Sequence, residues 1–80
     1  MHIHGGPFTI VATDGYSVPE GARLTKDTVL IGPGERYDVV WEAREPGTWL
    51  IHCHIAHHIT NDGAEVDGGG GLTMAISVAP

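Results

Sequence analysis

Five segments of this chain are rich in apolar, aromatic and β-branched residues, and turn-forming residues separate them. The segments are residues 8–12, 28–31, 36–43, 48–51 and 72–78. In the third segment Tyr37, Val39 and Trp41 alternate partly with the acidic Asp38 and Glu42, which predicts a half-buried strand. No segment has a convincing helical period. The pattern therefore predicts an all-β protein.

Turn signals mark the connections between the predicted strands. Asp14-Gly15, Gly32-Pro33-Gly34 and Glu45-Pro46-Gly47 each end one apolar segment or begin the next. Residues 16–27 are predicted to form a loop, and residues 60–71, with four consecutive glycines, a mobile one. The acidic residues of the second loop would either attract a cationic substrate or, as we favour, form a solvated surface. They are Asp62, Glu65 and Asp67.

Composition limits the partners and the size of the fold. Eighty residues form at most one small domain, which often needs a metal or a partner subunit for stability. The net charge of −6 argues against nucleic acid and anionic membrane surfaces, and no apolar run has transmembrane length. One cysteine excludes an internal disulfide. No signal peptide is visible at the start of this sequence, which leaves open both a removed leader and a longer parent chain.

The residues of greatest chemical interest lie in the stretch WLIHCHIAHH, from Trp49 to His58. Side chains alternate along a strand, so His52 and His54 are expected on one face and Cys53 on the other. His2 and His4 form a second pair with the same spacing near the start of the chain. The pattern predicts an imidazole site and a thiolate site on opposite faces of one strand, joined by the Cys53 backbone.

Three interpretations of these residues compete. The simplest interpretation is that the histidines bind no metal. The presence of two histidine pairs, one of them with a cysteine between its members, argues against this interpretation. Zinc also binds Cys and His, yet structural zinc sites prefer two cysteines or two histidines at wider spacings. Redox-active copper suits a lone thiolate flanked by imidazoles best. We therefore favour copper. His57 is interpreted as exposed or in a supporting position.

The motif His52-Cys53-His54, followed by His58, resembles the His-Cys-His-x-x-x-His signature of multicopper oxidases, the laccase-like enzymes of cupredoxin fold. The start of the chain, MHIHG, resembles the end of the family's His-Pro-x-His-x-His-Gly signature. The middle, DTVLIGPGERYDVVWEAREPGTWLIHCHI, is also typical of the family's C-terminal domain. The resemblance covers essentially all 80 residues.

This resemblance implies a set of copper ligands. Cys53 and His58 would bind a mononuclear type 1 copper. Half of a type 2/type 3 trinuclear cluster, where O₂ is reduced, would be bound by His2, His4, His52 and His54. Among these residues Cys53, His52 and His54 would be the catalytic group. Leu72 aligns with the axial position of type 1 copper and would not ligate, whereas Met74 could serve as an axial ligand instead.

The chain departs from the family pattern in three ways. The family usually places the axial residue a few positions after the last histidine, whereas here an acidic glycine-rich loop intervenes and Gly71-Leu72-Thr73-Met74 resembles the displaced equivalent. The leading histidine of the first signature would precede Met1, so the type 1 site lacks one ligand. The number of predicted strands is also about half of the number in a cupredoxin domain. Residues 1–80 are therefore expected to be the C-terminal part of a cupredoxin-like Greek-key β-sandwich, completed by a homo-oligomer or by the remainder of a longer oxidase.

The implied activity couples one-electron oxidation of a small reducing substrate, a phenol or a metal ion, to four-electron reduction of O₂ to water. A copper-binding or electron-transfer module without oxidase activity is the alternative. By family resemblance we expect a periplasmic or extracellular location.

Overall fold

The computed structural model describes residues 1–55, His58 and residues 71–80. The acidic glycine-rich loop with Asp62, Glu65 and Asp67, and the interpretation of His57, lie outside these residues. The strands are β1 (His2–Ile3), β2 (Phe8–Thr13), β3 (Tyr16–Ser17), β4 (Thr25–Lys26), β5 (Tyr37–Trp41), β6 (Gly47–His52) and β7 (Thr73–Val78), with a 3₁₀ turn at Glu20–Ala22. No helix among the described residues is long and apolar enough to cross a membrane.

The first sheet has three antiparallel strands in the order β1-β6-β7. Its register places His2 opposite His52 and Ile3 opposite Ile51. On the other edge of β6 all six residues pair with β7, from Gly47 opposite Val78 to His52 opposite Thr73. The two signature segments, 48 or more residues apart in sequence, are therefore neighbours in one sheet.

The second sheet is built around β2, which pairs antiparallel with three strands. Because Phe8 and Thr9 pair with both β4 and β5, those two strands lie on opposite edges of β2. The hairpin strand β3 pairs with Ala12 and Thr13, which β5 also contacts, so β3 shares the edge occupied by β4. The pairing with β5 shifts register between Ile10 and Ala12, as at a β-bulge.

The hydrophobic core lies between the two sheets. Its buried members are Ile3 of β1, Phe8 and Ile10 of β2, and Val29. Both sheets contribute partly buried side chains around this centre: Met1, Tyr37, Trp41, Ile51 and Ile76. The prediction of an all-β fold is confirmed, and two packed antiparallel sheets are consistent with part of a cupredoxin-like sandwich.

The strand predicted at residues 28–31 is wrong in extent. Thr28 makes a single bridge to His2, and Met1 and Val29 exchange two backbone hydrogen bonds. Leu30 and Ile31 lie outside the sheet because the turn at residues 32–35 begins directly after them, closed by the Glu35 N–H on the Gly32 carbonyl. The predicted loop at residues 16–27 likewise contains β3, the 3₁₀ turn and β4.

Candidate metal centre

Four histidines gather where β1 and β6 pair. The register brings His2 opposite His52, and the alternation of side chains adds His4 and His54 on the same face. Neighbouring ring centroids are 4.7 Å apart for His52 and His54 and 5.6 Å apart for His2 and His52. The structure therefore brings the two histidine pairs together.

The closest approach within the histidine cluster joins His4 and His52, whose Nε2 atoms are 3.2 Å apart. Two imidazole nitrogens bound to one metal ion, each at about 2.0–2.1 Å and at a near-tetrahedral angle, would be about 3.3 Å apart. In the metal-free protein one of these nitrogens donates its proton to the other. A metal ion takes the place of that proton, so the pair fits a shared ion.

Hydrogen bonds on the far side of two rings fix which nitrogen is available to a metal. His52 Nδ1 donates to the Cys53 carbonyl at 3.0 Å. His2 Nδ1 donates to the Asp27 carbonyl at 3.0 Å and to Thr28 Oγ1 at 2.9 Å. Each ring is thereby held in the tautomer whose Nε2 carries no proton, and at His52 that nitrogen accepts the His4 proton when no metal is bound. Such outer contacts are the usual support of metal-binding histidines.

Asp27 and Thr28 form a small network behind His2. Thr28 Oγ1 donates to Asp27 Oδ1 at 2.7 Å, and the same carboxylate lies 3.6 Å from His2 Nδ1. The Thr28 hydrogen bond, and secondarily the His2 charge, hold the pKa of Asp27 below its usual value. The carboxylate therefore stays ionised beside His2 and favours the orientation of its ring.

The pKa of His54 is lowered from its ordinary value of 6.5. Partial desolvation is the main cause, and positive charge on His52 and His2 adds to it. A lowered pKa keeps the ring neutral at near-neutral pH. Neutral imidazole is the form that binds metal.

Cys53 follows directly after β6, which ends at His52, and its side chain contacts His58 and not the histidine cluster. It is buried, with 5% of its surface exposed, and its Sγ lies 3.7 Å from His58 Nδ1. A sulfur at about 2.3 Å and a nitrogen at about 2.0 Å from one ion, in trigonal geometry, would be about 3.7 Å apart. The Ile55 N–H donates to the sulfur at 3.4 Å. This pair fits a mononuclear thiolate site.

A cavity of about 580 Å³ opens beside Cys53 and His58. Its lining is mainly apolar and includes Leu72, whose carbonyl accepts the Cys53 backbone N–H at 3.0 Å. Met74 is largely exposed, lies opposite Ile51 in the ladder and is not among the lining residues. The position assigned to Leu72 thus lies next to the thiolate. The assignment of an axial ligand stays a prediction.

Neither donor set is complete in the part of the chain that the structure describes. No group of three or more His, Cys, Asp or Glu side chains there is arranged to hold a metal ion. The imidazole pairs and the Cys53–His58 pair therefore supply some of the ligands of two sites. Further donors would come from elsewhere.

Sequence reasoning did not find Asp27 and Thr28 as supports of His2. They lie 25 and 26 residues away from it, and no local pattern links them to a histidine. The only sequence signal for this role is that Asp27 and Thr28 are two adjacent hydrogen-bonding residues at the start of an apolar segment. The contact depends on the bridge between His2 and Thr28.

The fold and these donors define a class: an antiparallel β protein whose histidine and thiolate sites share one strand, a combination suited to redox-active copper. Within that class the chain belongs to the multicopper oxidase family, whose family model matches residues 1–65. No solved structure matches the chain.

Individual relatives agree with the family match. Multicopper oxidase mco of Staphylococcus haemolyticus is 35% identical over 61 residues, which are 76% of this chain and 14% of that protein. Multicopper oxidase MmcO of Mycobacterium tuberculosis is 40% identical over 58 residues, 72% of this chain and 10% of that protein. A laccase of Pycnoporus cinnabarinus is 33% identical over 61 residues, which are 74% of this chain and 12% of that laccase. The chain thus spans only 10–14% of the length of these relatives.

Proposed function

We propose that this chain is the copper-binding C-terminal part of an oxidase. That oxidase would couple one-electron oxidation of a phenolic or metal-ion substrate to four-electron reduction of O₂ to water. The main support is one observation. Cys53 is flanked in sequence by two members of the histidine cluster, while its Sγ lies on the opposite face beside His58. Two sites are thereby joined by a single peptide segment.

Each donor set has a distinct role in this proposal. Cys53 and His58 would hold a type 1 copper. Four imidazoles would hold part of a type 2/type 3 trinuclear cluster, namely His2, His4, His52 and His54. Copper bound at these positions would supply the one-electron redox chemistry that protein side chains lack.

The chain's own residues orient the donors and control access to them. The Cys53 carbonyl and the Asp27 carbonyl accept the Nδ1 protons of His52 and His2, so the Nε2 atoms of both rings carry no proton. Burial of Cys53 excludes water from the sulfur. The backbone of Cys53 provides a covalent connection of a few bonds between the thiolate and the two flanking histidines.

A copper-binding or electron-transfer module without oxidase activity is the second candidate. It is favoured by the incomplete donor sets among the described residues. Such a module would bind copper at the thiolate and exchange electrons without reducing O₂.

Copper loading combined with O₂ uptake separates these candidates. The oxidase predicts a strong thiolate-to-copper absorption band and O₂ uptake that depends on a phenolic substrate. The band without O₂ uptake supports the second candidate. Metal analysis that finds zinc, with no thiolate-to-copper band after copper loading, contradicts both.

A further inference from the structure

The turn that follows His4 is held by two side chains from other parts of the chain. Arg44 bridges its outer carbonyls, since Nη1 donates to the Gly5 oxygen at 3.3 Å and Nη2 to the Pro7 oxygen at 3.2 Å. The indole N–H of Trp41 donates to the carbonyl between them, that of Gly6, at 3.2 Å. Three consecutive carbonyls are therefore bound by one guanidinium and one indole.

The same side chains also fill the space around this turn. A Cβ placed on Gly5 would lie 2.9 Å from Trp49 and 3.0 Å from Trp41. A Cβ on Gly6 would lie 2.5 Å from Arg44 Nη1. Both glycines have positive φ, at 85° and 105°, which favours glycine. The turn is thus fixed by contact as well as by hydrogen bonds.

Arg44 is itself anchored in the connection between β5 and β6. Its Nη1 also donates to the Glu42 carbonyl at 3.1 Å. The indole N–H of Trp49, in β6, donates to the Glu45 carbonyl at 2.9 Å and holds the same connection. This connection leads directly into β6, the strand that ends at His52. Arg44 therefore links the turn after His4 to the strand of the second histidine pair.

We propose that Arg44 is a positioning residue that sets the place of His4 relative to His52. On its N-terminal side His4 is held by its backbone N–H on the Leu50 carbonyl, at 2.8 Å. On its C-terminal side the guanidinium fork supplies two of the three side-chain hydrogen bonds to the turn, so its loss leaves the Trp41 bond and the indole contacts as the remaining restraints. The 3.2 Å separation of the two Nε2 atoms depends on both restraints. The consequences for copper rest on the proposed function.

The test is Arg44→Ala in the copper-loaded protein. Because loss of a supporting contact typically weakens metal binding 10–100-fold, copper at the histidines should bind about tenfold more weakly or worse. The electron paramagnetic resonance lines of that copper should broaden as His4 samples several positions. The thiolate absorption of Cys53, on the other strand face, should keep its wavelength and intensity.

A metal-free measurement tests the positioning without copper. In the wild-type apoprotein, nuclear Overhauser contacts between the His4 and His52 rings should be strong, and Arg44→Ala should weaken them. If the wild-type histidines bind no copper, the proposed function fails, and this measurement still decides the role of Arg44. Unchanged ring contacts in Arg44→Ala would overturn the proposal.

Matched variants separate positioning from general stability. Arg23→Ala removes the same charge and another arginine-to-carbonyl bond, from Arg23 Nε to Val18, in a loop that holds none of the histidines. It should leave the ring contacts and copper affinity unchanged. Glu42→Gln removes only a 3.9 Å ion pair and should also be silent. Equal effects of Arg23→Ala and Arg44→Ala would overturn the proposal.

Two milder variants keep the test decisive if Arg44→Ala does not fold. Arg44→Lys retains the charge but not the planar fork, so it should fail to restore the ring contacts. Trp41→Phe retains an aromatic ring but loses the bond to the Gly6 carbonyl and part of the indole packing beside Gly5, so it should weaken those contacts partly. Wild-type ring contacts and copper spectra in both variants would contradict the proposed positioning role of Arg44.

Discussion

At the scale of single residues, the peptide His52-Cys53-His54, at the end of β6, directs chemically different donors to two sites. The separation follows from backbone geometry, because consecutive side chains of a strand point in opposite directions. His52 contacts His4 through Nε2, whereas Cys53 contacts His58 through Sγ. The two donor sets can therefore be altered independently.

Cys53→Ser should abolish any blue colour, because a serine hydroxyl is a poor substitute for a thiolate. Copper bound at the histidines should be largely retained, since those side chains face the other way. Visible absorption and copper content after dialysis measure the two effects. His54→Gln is the reciprocal control and should spare the thiolate band. Unchanged colour in Cys53→Ser would exclude the assignment of Cys53 as a ligand.

Thr28→Val should weaken copper binding at the histidines by about 10–100-fold, the usual effect of losing an outer hydrogen-bond partner. The substitution keeps the side-chain shape and removes the hydroxyl that binds both His2 and Asp27. Thr25→Val is the matched control, because its hydroxyl contacts only Thr9 in the second sheet. Competition titration with a chelator measures the copper affinity of both variants. Equal copper affinities of Thr28→Val and Thr25→Val would contradict the prediction.

The lowered pKa of His54 predicts a pH dependence of the metal-free protein. Between the folded-state pKa and 6.5 the unfolded chain binds more protons than the folded one, so stability rises with pH. Stability should be fully present above pH 6.5 and be lost as the pH falls through the folded-state pKa. Melting temperatures from pH 8 to pH 5, with a chelator present, test this. The slope should be smaller in His54→Gln; an identical slope would contradict the assignment to His54.

At the scale of elements, the short strand β1 is fixed by its neighbours on both edges and by the turn that follows it. It pairs with β6 on one edge and bridges to Thr28 on the other, and the turn at residues 5–7 carries the chain to the second sheet. Two strand residues alone make few ladder bonds. The position of the first histidine pair therefore depends on the turn as much as on the strand.

Gly5→Ala should destabilise the protein more than Gly15→Ala does. Both glycines have a φ of 85°, so both substitutions incur backbone strain of about 1–3 kcal/mol. Gly15 has open space around it, whereas a Cβ at Gly5 meets Trp49 and Trp41. Overpacking should add about 1–3 kcal/mol at Gly5 only. Urea unfolding of the two variants measures the difference in the free energy of unfolding. Equal unfolding midpoints would contradict the prediction, because the indoles would then move aside without destabilising the protein.

At the scale of the whole molecule, much apolar surface is left uncovered. Leu30 is 82% exposed, Val40 61% and Met74 59%. The order β1-β6-β7 also leaves one edge of β7 without a partner among the described strands. Exposed apolar residues and an open strand edge favour pairing with another chain or with more of the same chain.

We predict that the 80-residue chain assembles with itself, with copper at or near the subunit interface. A two-fold axis would present the same surface twice and supply four histidine pairs in place of two. Apparent stability should then rise with copper and with protein concentration. Sedimentation with and without copper measures this. A compact monomer whose size and melting temperature ignore copper would contradict it and favour completion by a longer oxidase chain.

The sequence by itself determined the features that depend on local geometry. Alternating apolar residues and turn signals predicted the strands at β2, β5, β6 and β7, because a strand's side-chain period is a property of the backbone. The same alternation separated Cys53 from its flanking histidines. The family signatures predicted which residues would be donors before any contact was known.

Only the tertiary structure decided which of these residues meet. His2 faces His52 because of the register between β1 and β6, and no local pattern encodes a register between segments about 50 residues apart. The supports of the donors, Asp27 and Thr28 behind His2 and Arg44 across the turn after His4, depend on the same long-range pairing. Cross-strand and cross-sheet packing fixes such contacts. Local periodicity cannot.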